Sequence, residues 1–138
     1  MSLFNETWTL LDQPSRTPDE DDRMIHRAHA SRYHWGEVGG PHECAIGEWQ
    51  CSRVYATLGR FEPSLHHANR CLEWAGRDGV EPWVMASGHE ALARAYAVGG
   101  DVQRFRDVRD RAAELAAALD DDEDRAVVLA DIESLPEL

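Results

Sequence analysis

The stretch Pro41–Gly59, PHECAIGEWQCSRVYATLG, comes back 41 residues later as Pro82–Gly100, PWVMASGHEALARAYAVGG. Seven of its nineteen positions keep their residue: Pro41, Ala45, Gly47, Arg53, Tyr55, Ala56 and Gly59 fall on Pro82, Ala86, Gly88, Arg94, Tyr96, Ala97 and Gly100. A fainter echo sets His29-Ala30-Ser31-Arg32 against His67-Ala68-Asn69-Arg70, at a shift of 38. A fixed period of this length marks a repeat architecture: one unit cannot bury its apolar face alone, and stacking neighbours buries it.

Outward from the repeat, the punctuation is helical. Strand signals are nearly absent, with no sustained apolar–polar alternation and few Val or Ile. Thr17-Pro18-Asp19-Glu20 reads as an N-cap, a proline at the first helical position and an acidic first turn, which suits the helix dipole. That helix is expected to run to Gly39-Gly40. The next runs from Pro41 to Leu58-Gly59, a third from Glu62-Pro63 to about Gly76–Gly79, and a fourth from Pro82 to Gly99-Gly100. Asp101 is placed to cap a fifth, ending near Leu119. The acidic run Asp120–Asp124 opens a short last helix toward Leu135-Pro136. The expectation is an all-α chain of about five to six helices. Residues 1–16, with Trp8, Leu10 and Leu11, form an N-terminal arm or short helix. Residues 17–138 form a single domain, with repeat units at approximately 41–79 and 82–119.

This pattern resembles the tetratricopeptide repeat. The family places a small residue, an aromatic three positions on and a turn glycine four further, here Ser52, Tyr55 and Gly59, then Ala93, Tyr96 and Gly100. Phe61 matches its aromatic after the turn, Leu65 the large apolar residue of the second helix, and Cys71 and Ala112 its small crossing residues. The chain departs from it in four respects. Glu48 and His89 stand where the family favours Trp, Phe105 where a small residue is usual, the closing proline is missing, and the period is 41 rather than 34. The resemblance covers roughly residues 41–115 and implies a stack of antiparallel helical hairpins; a HEAT-type array is the architectural alternative. The recurring mid-helix Gly47 and Gly88 are read as points of close helix approach, since glycine there costs about 1 kcal/mol against alanine.

Composition bounds the function. The 138 residues carry 26 Asp and Glu against 14 basic residues, all of them Arg, for a formal net charge of −12. So acidic a chain repels phosphate backbones and anionic lipid, so neither a nucleic acid nor a membrane is the expected partner. Mean hydropathy is −0.53, and no run of eighteen apolar residues occurs. Three cysteines without CxxC spacing, and a start lacking a basic n-region, lead to the expectation of a reducing, cytoplasmic setting.

The resemblance implies that the first helix of each hairpin lines a concave groove. Carried over, that face is Ile46, Trp49, Arg53, Ala56 and Thr57, then Ser87, Glu90, Arg94, Ala97 and Val98. Arg53 and Arg94 are repeat equivalents. Two guanidiniums on stacked helices suit a partner's carboxylate, which Arg binds bidentately, with Trp49 as apolar anchor and Glu90 orienting one Arg. The competing reading is structural: Arg53 pairs with Glu90, and Arg94 with another acid. The leading expectation is therefore a non-enzymatic module binding a protein or peptide partner through Trp49, Arg53, Glu90 and Arg94, without cofactor. Self-association over the end faces, to a homodimer, would cover edges of a short array.

A metal-binding enzyme or sensor built on His29, His67, His89 and Glu48 is the alternative, although His26, His29 and His34 spread over about 140° of one helix, too wide for a shared ligand set. A small-ligand pocket inside the superhelix is a third reading. His89-Glu90 begins an HExxH motif, but position 93 is Ala, and His42-Glu43 fails likewise at Ile46. GxSxG, Walker and GxGxxG signatures are absent. Cys51 reads as a core residue rather than a nucleophile. Trp35 and Trp74, near the ends of their helices, read as apolar caps of the stack.

Overall fold

The structure, a computed structural model, describes residues 2–138. Among them the chain forms seven helices and no strand: α1 Leu3–Leu11, α2 Pro18–Val38, α3 Pro41–Thr57, α4 Phe61–Ala75, α5 Pro82–Gly99, α6 Val102–Ala117 and α7 Asp122–Glu133. The all-α expectation holds. The count of five to six is one short, because the N-terminal segment is a full nine-residue helix whose Ser2 side chain accepts from Asn5 N.

Local chemistry sets the boundaries. Thr17 and Glu20 form a reciprocal capping box ahead of Pro18. Asp101 and Asp121 accept from the backbone N–H groups of Arg104 and Asp124. The equivalent turns after α3 and α5 both need a left-handed residue, met by Gly59 at φ 72° and Gly100 at φ 76°. Because the connections are so short, sequential helices must run antiparallel. α3 packs on α4 and α5 on α6; α2 covers α3, α4 meets α5, and α3 also touches α5 directly.

The core is a series of small interfaces. Met24, Ala28, Cys51 and Val54 join α2 to α3, with Leu10 of α1. Ala45, Cys71, Ala75 and Val84 join α3, α4 and α5, and Ala86, Ala116 and Val128 carry the packing through α6 to α7. Ser52 and Ser64 seal the α3–α4 crossing, each hydroxyl donating to the other's carbonyl at 2.8 and 3.0 Å. The mid-helix glycines are where neighbours press closest. A Cβ on Gly47 would lie 2.8 Å from Arg32 Cδ and 3.3 Å from Arg32 Cα; one on Gly88 would lie 2.7 Å from Leu72 Cδ2. No helix among the described residues is long and apolar enough to cross a membrane.

Candidate functional site: an aromatic cleft over a buried carboxylate

Trp49, Arg53, Glu90 and Arg94 come together on the face that α3 and α5 share. Glu90 is their centre, with 0% of its surface exposed. Its Oε1 accepts from Arg53 Nη2 at 3.1 Å and from Arg94 Nε and Nη2 at 2.9 and 2.6 Å. Its Oε2 accepts from Trp49 Nε1 at 3.3 Å. An unpaired carboxylate in this position would be prohibitively costly; two guanidiniums and an indole N–H compensate its desolvation.

Two further elements, which sequence reasoning had not placed here, complete the site. From α7, Asp131 Oδ1 lies 3.6 Å from Arg53 Nη2. Arg94 Nη2 also donates to the Asp131 carbonyl at 3.2 Å and to Ser134 Oγ at 2.8 Å. From α1, Trp8 stacks obliquely on Trp49 with ring centroids 5.5 Å apart, and the Arg53 guanidinium lies 5.7 Å from the Trp8 ring and 5.3 Å from the Trp49 ring. Both arginines are thus engaged: their side chains keep only 14% and 15% of their surface, and two cations stand against the carboxylates of Glu90 and Asp131. The structural pairing of Arg53 with Glu90 weighed from the sequence is present. Burial and the nearby negative charge of Glu90 push the Asp131 carboxyl above its ordinary range, against the opposing pull of Arg53 and Arg94.

Beside this network opens a cleft of about 310 Å³. Its walls are Phe4 and Trp8 from α1, Ile46 and Trp49 from α3, Trp83, Val84 and Ser87 from α5, and Val127 from α7, with Cys71 and Asp131 also lining it. Four of these are aromatic. Ser87 and Asp131 supply the polar oxygens. The volume sits at the lower end of the ~300–1,000 Å³ typical of ligand pockets, and an apolar lining with few polar groups is what such pockets share. The aromatic spacing Phe4, Trp8 (i, i+4) was a legible signal that α1 has a face to bury; which groove it covers was not.

His29 and His67 form a separate cluster between α2, α3 and α4. His29 Nε2 is 2.7 Å from Tyr55 Oη, and His67 stacks on Tyr55 with ring planes 4° apart. His67 Nδ1 lies 3.2 Å from Glu48 Oε2, and Arg32 Nε 3.7 Å from Glu48 Oε1. His29 and His67 do approach, at 5.2 Å between centroids. His89 does not join them; its Nδ1 is bonded to the Met85 carbonyl at 2.9 Å. Among the described residues, no three His, Cys, Asp or Glu converge so as to hold a metal ion.

Burial and the neighbouring His67 lower the His29 pKa. Burial alone would raise that of Glu48, but the His67 hydrogen bond and the charges of His67 and Arg32 outweigh it, and the net shift is downward. Burial pushes the thiols of Cys51 and Cys71 up to about 12, which leaves essentially no thiolate for nucleophilic chemistry at neutral pH.

Compared with known proteins, the chain matches no family model, no curated protein and no solved structure.

Proposed function

We propose that the protein is a non-enzymatic, tetratricopeptide-like interaction module that receives an apolar side chain of a protein or peptide partner in the cleft between α1, α3, α5 and α7. The observation that carries this reading is the open cleft of about 310 Å³ walled by Phe4, Trp8, Trp49 and Trp83. Burying one large anchor residue in such a pocket contributes roughly 1.5–3 kcal/mol, and interface energy concentrates in anchors of this kind. Trp49, expected to be the module's own apolar anchor, serves in this reading as a wall of the cleft that receives the partner's anchor. Arg53, Glu90 and Arg94 become the rigid base that holds Trp49 and α7 in place, since the guanidiniums already have carboxylate partners within the chain.

Selection from a random peptide library tests it, using wild type beside Ser87→Phe, which fills the cleft, and Val127→Ser, which removes an exposed apolar wall. The expected result is enrichment of peptides with a shared aromatic or aliphatic anchor by wild type and loss of that enrichment by both variants, with helix content unchanged in circular dichroism. No enriched peptide, or the same peptides enriched by all three proteins, overturns the proposal.

A further inference from the structure

Resting on that reading, we infer that the segment entering the cleft is basic, an apolar anchor flanked by Lys or Arg. Three observations converge on this charge. First, the cations on this face are already matched: Arg53 and Arg94 are held by Glu90 and Asp131. An acidic partner would have to compete with a carboxylate that is wholly buried, which is costly because it strands that charge.

Second, the wall contributed by α7 is acidic around its apolar contact. Asp124, Val127 and Asp131 stand at i, i+3 and i+7 and so share one face of the helix; Asp131 is already matched by Arg53, so Asp124 is the carboxylate left to a partner's cation. Val127 offers 61% of its surface between the two carboxylates.

Third, Trp83 is a wall common to the cleft and to a neighbouring hollow lined by Asp120, Asp121 and Asp124. Glu81 reaches the same indole, accepting from Trp83 Nε1 at 3.0 Å. Partial desolvation together with the like charges of Asp121, Glu81 and Glu123 raises the Asp124 pKa; the nearby Arg125 is committed to Asp122. A cation arriving over Trp83 would relieve this repulsion and meet an aromatic face as well. The net charge of −12 adds long-range attraction for the same class of partner.

The test uses two fluorescein-labelled peptides with an identical Trp-Leu anchor, one flanked by lysines and one by glutamates, titrated by fluorescence anisotropy at low and raised salt. Wild type is compared with the Asp121→Asn/Asp124→Asn double variant, in which asparagine retains the helix cap. Expected are at least tenfold tighter binding of the lysine peptide, weakening with salt, and a loss of roughly three- to tenfold in the double variant, the scale of rim charges. Equal binding of both peptides, or tighter binding of the glutamate peptide, overturns this inference. If that binding is still lost on Ser87→Phe, the cleft itself stands as the binding surface. Failure of both peptides, with nothing enriched from the library, removes both readings. A dimer in sedimentation that Val127→Ser dissociates overturns the basic peptide in favour of a second copy of this chain.

Discussion

Arg53 and Arg94, one repeat length apart in the chain, donate to the same atom, Oε1 of Glu90, at 3.1 and 2.6 Å. The repeat places equivalent side chains at equivalent heights on α3 and α5, and the site then breaks the symmetry. Trp49 and Glu90 are also equivalents, and at that position one copy is the hydrogen-bond donor and the other the acceptor.

Removing Glu90 leaves two largely buried cations with a single carboxylate, Asp131, between them. Glu90→Ala is expected to destabilise the protein by about 3–5 kcal/mol, the scale for orphaning a buried ion pair. Urea unfolding followed by circular dichroism measures it. Replacing Glu90 together with its two cations, as Arg53→Met/Glu90→Leu/Arg94→Met, should recover part of that loss, because well-packed apolar residues substitute for buried ion pairs at little cost while Asp131 gives up Arg53. A triple variant no more stable than Glu90→Ala would show that the network does more than satisfy its own charges.

The two mid-helix glycines make separable predictions. At Gly47 an added methyl meets Arg32 Cα as well as its side chain, so the α2 backbone has to move; at Gly88 it meets chiefly the end of Leu72. Alanine improves helix propensity by about 1 kcal/mol at either place. Gly47→Ala is expected to be net destabilising by about 1–2 kcal/mol through overpacking, and Gly88→Ala to lie closer to neutral. Thermal melts of the two variants side by side decide it, and the reverse order would refute the assignment of the tighter contact.

Acid should weaken the histidine cluster in a defined window. The folded-state pKa of His29 lies below its ordinary value of about 6.5, so the unfolded chain binds the proton more readily. Stability is therefore full above that value, falls as pH drops from about 6.5 toward the folded pKa, and levels off below it. Glu48, also lowered, adds a second loss beginning under its unfolded pKa near 4.5. His67 and His26 repel a protonated His29, and Glu48 opposes them. Denaturant midpoints between pH 7.5 and 5 should decline for wild type and flatten for His29→Gln. An unchanged slope in the variant would assign the effect to other groups.

Cys44, Cys51 and Cys71 are all buried and free, and two of the thiols are shifted up to about 12. A colorimetric thiol reagent should label none of them quickly in the native protein and all three in denaturant. Rapid labelling of one thiol in the folded state would contradict its burial.

What the sequence made legible was local or periodic. Thr17, Asp101, Gly59 and Gly100 announce their helix ends through capping and left-handed turn chemistry that needs no tertiary context. The shift of 41 paired Arg53 with Arg94 and Trp49 with Glu90, and the resemblance to the tetratricopeptide repeat implied one shared face for them before any coordinates. The terminal helices were harder, because an apolar stripe such as Phe4–Trp8 says that a helix has something to bury and nothing about where. Asp131 lies far from Arg53 in the chain, and no period connects them. Phe105, a departure from the family pattern, is accommodated by context: it is wholly buried against small Ala93 and against Leu135 from beyond α7. Nothing local to Phe105 could have supplied that partner.

Trp8 and Asp131 line one cleft although 123 residues separate them. The hairpins α3–α4 and α5–α6 close through neighbours in sequence, the kind of contact that costs least loop entropy to form. The cleft instead needs α1, seated on α2 and α3, and α7, seated on α5 and α6, to be in place at once, although the two helices do not pack on each other. Its two walls thus depend on opposite ends of the chain, and loss of either terminal helix is expected to open the cleft while the other stays docked.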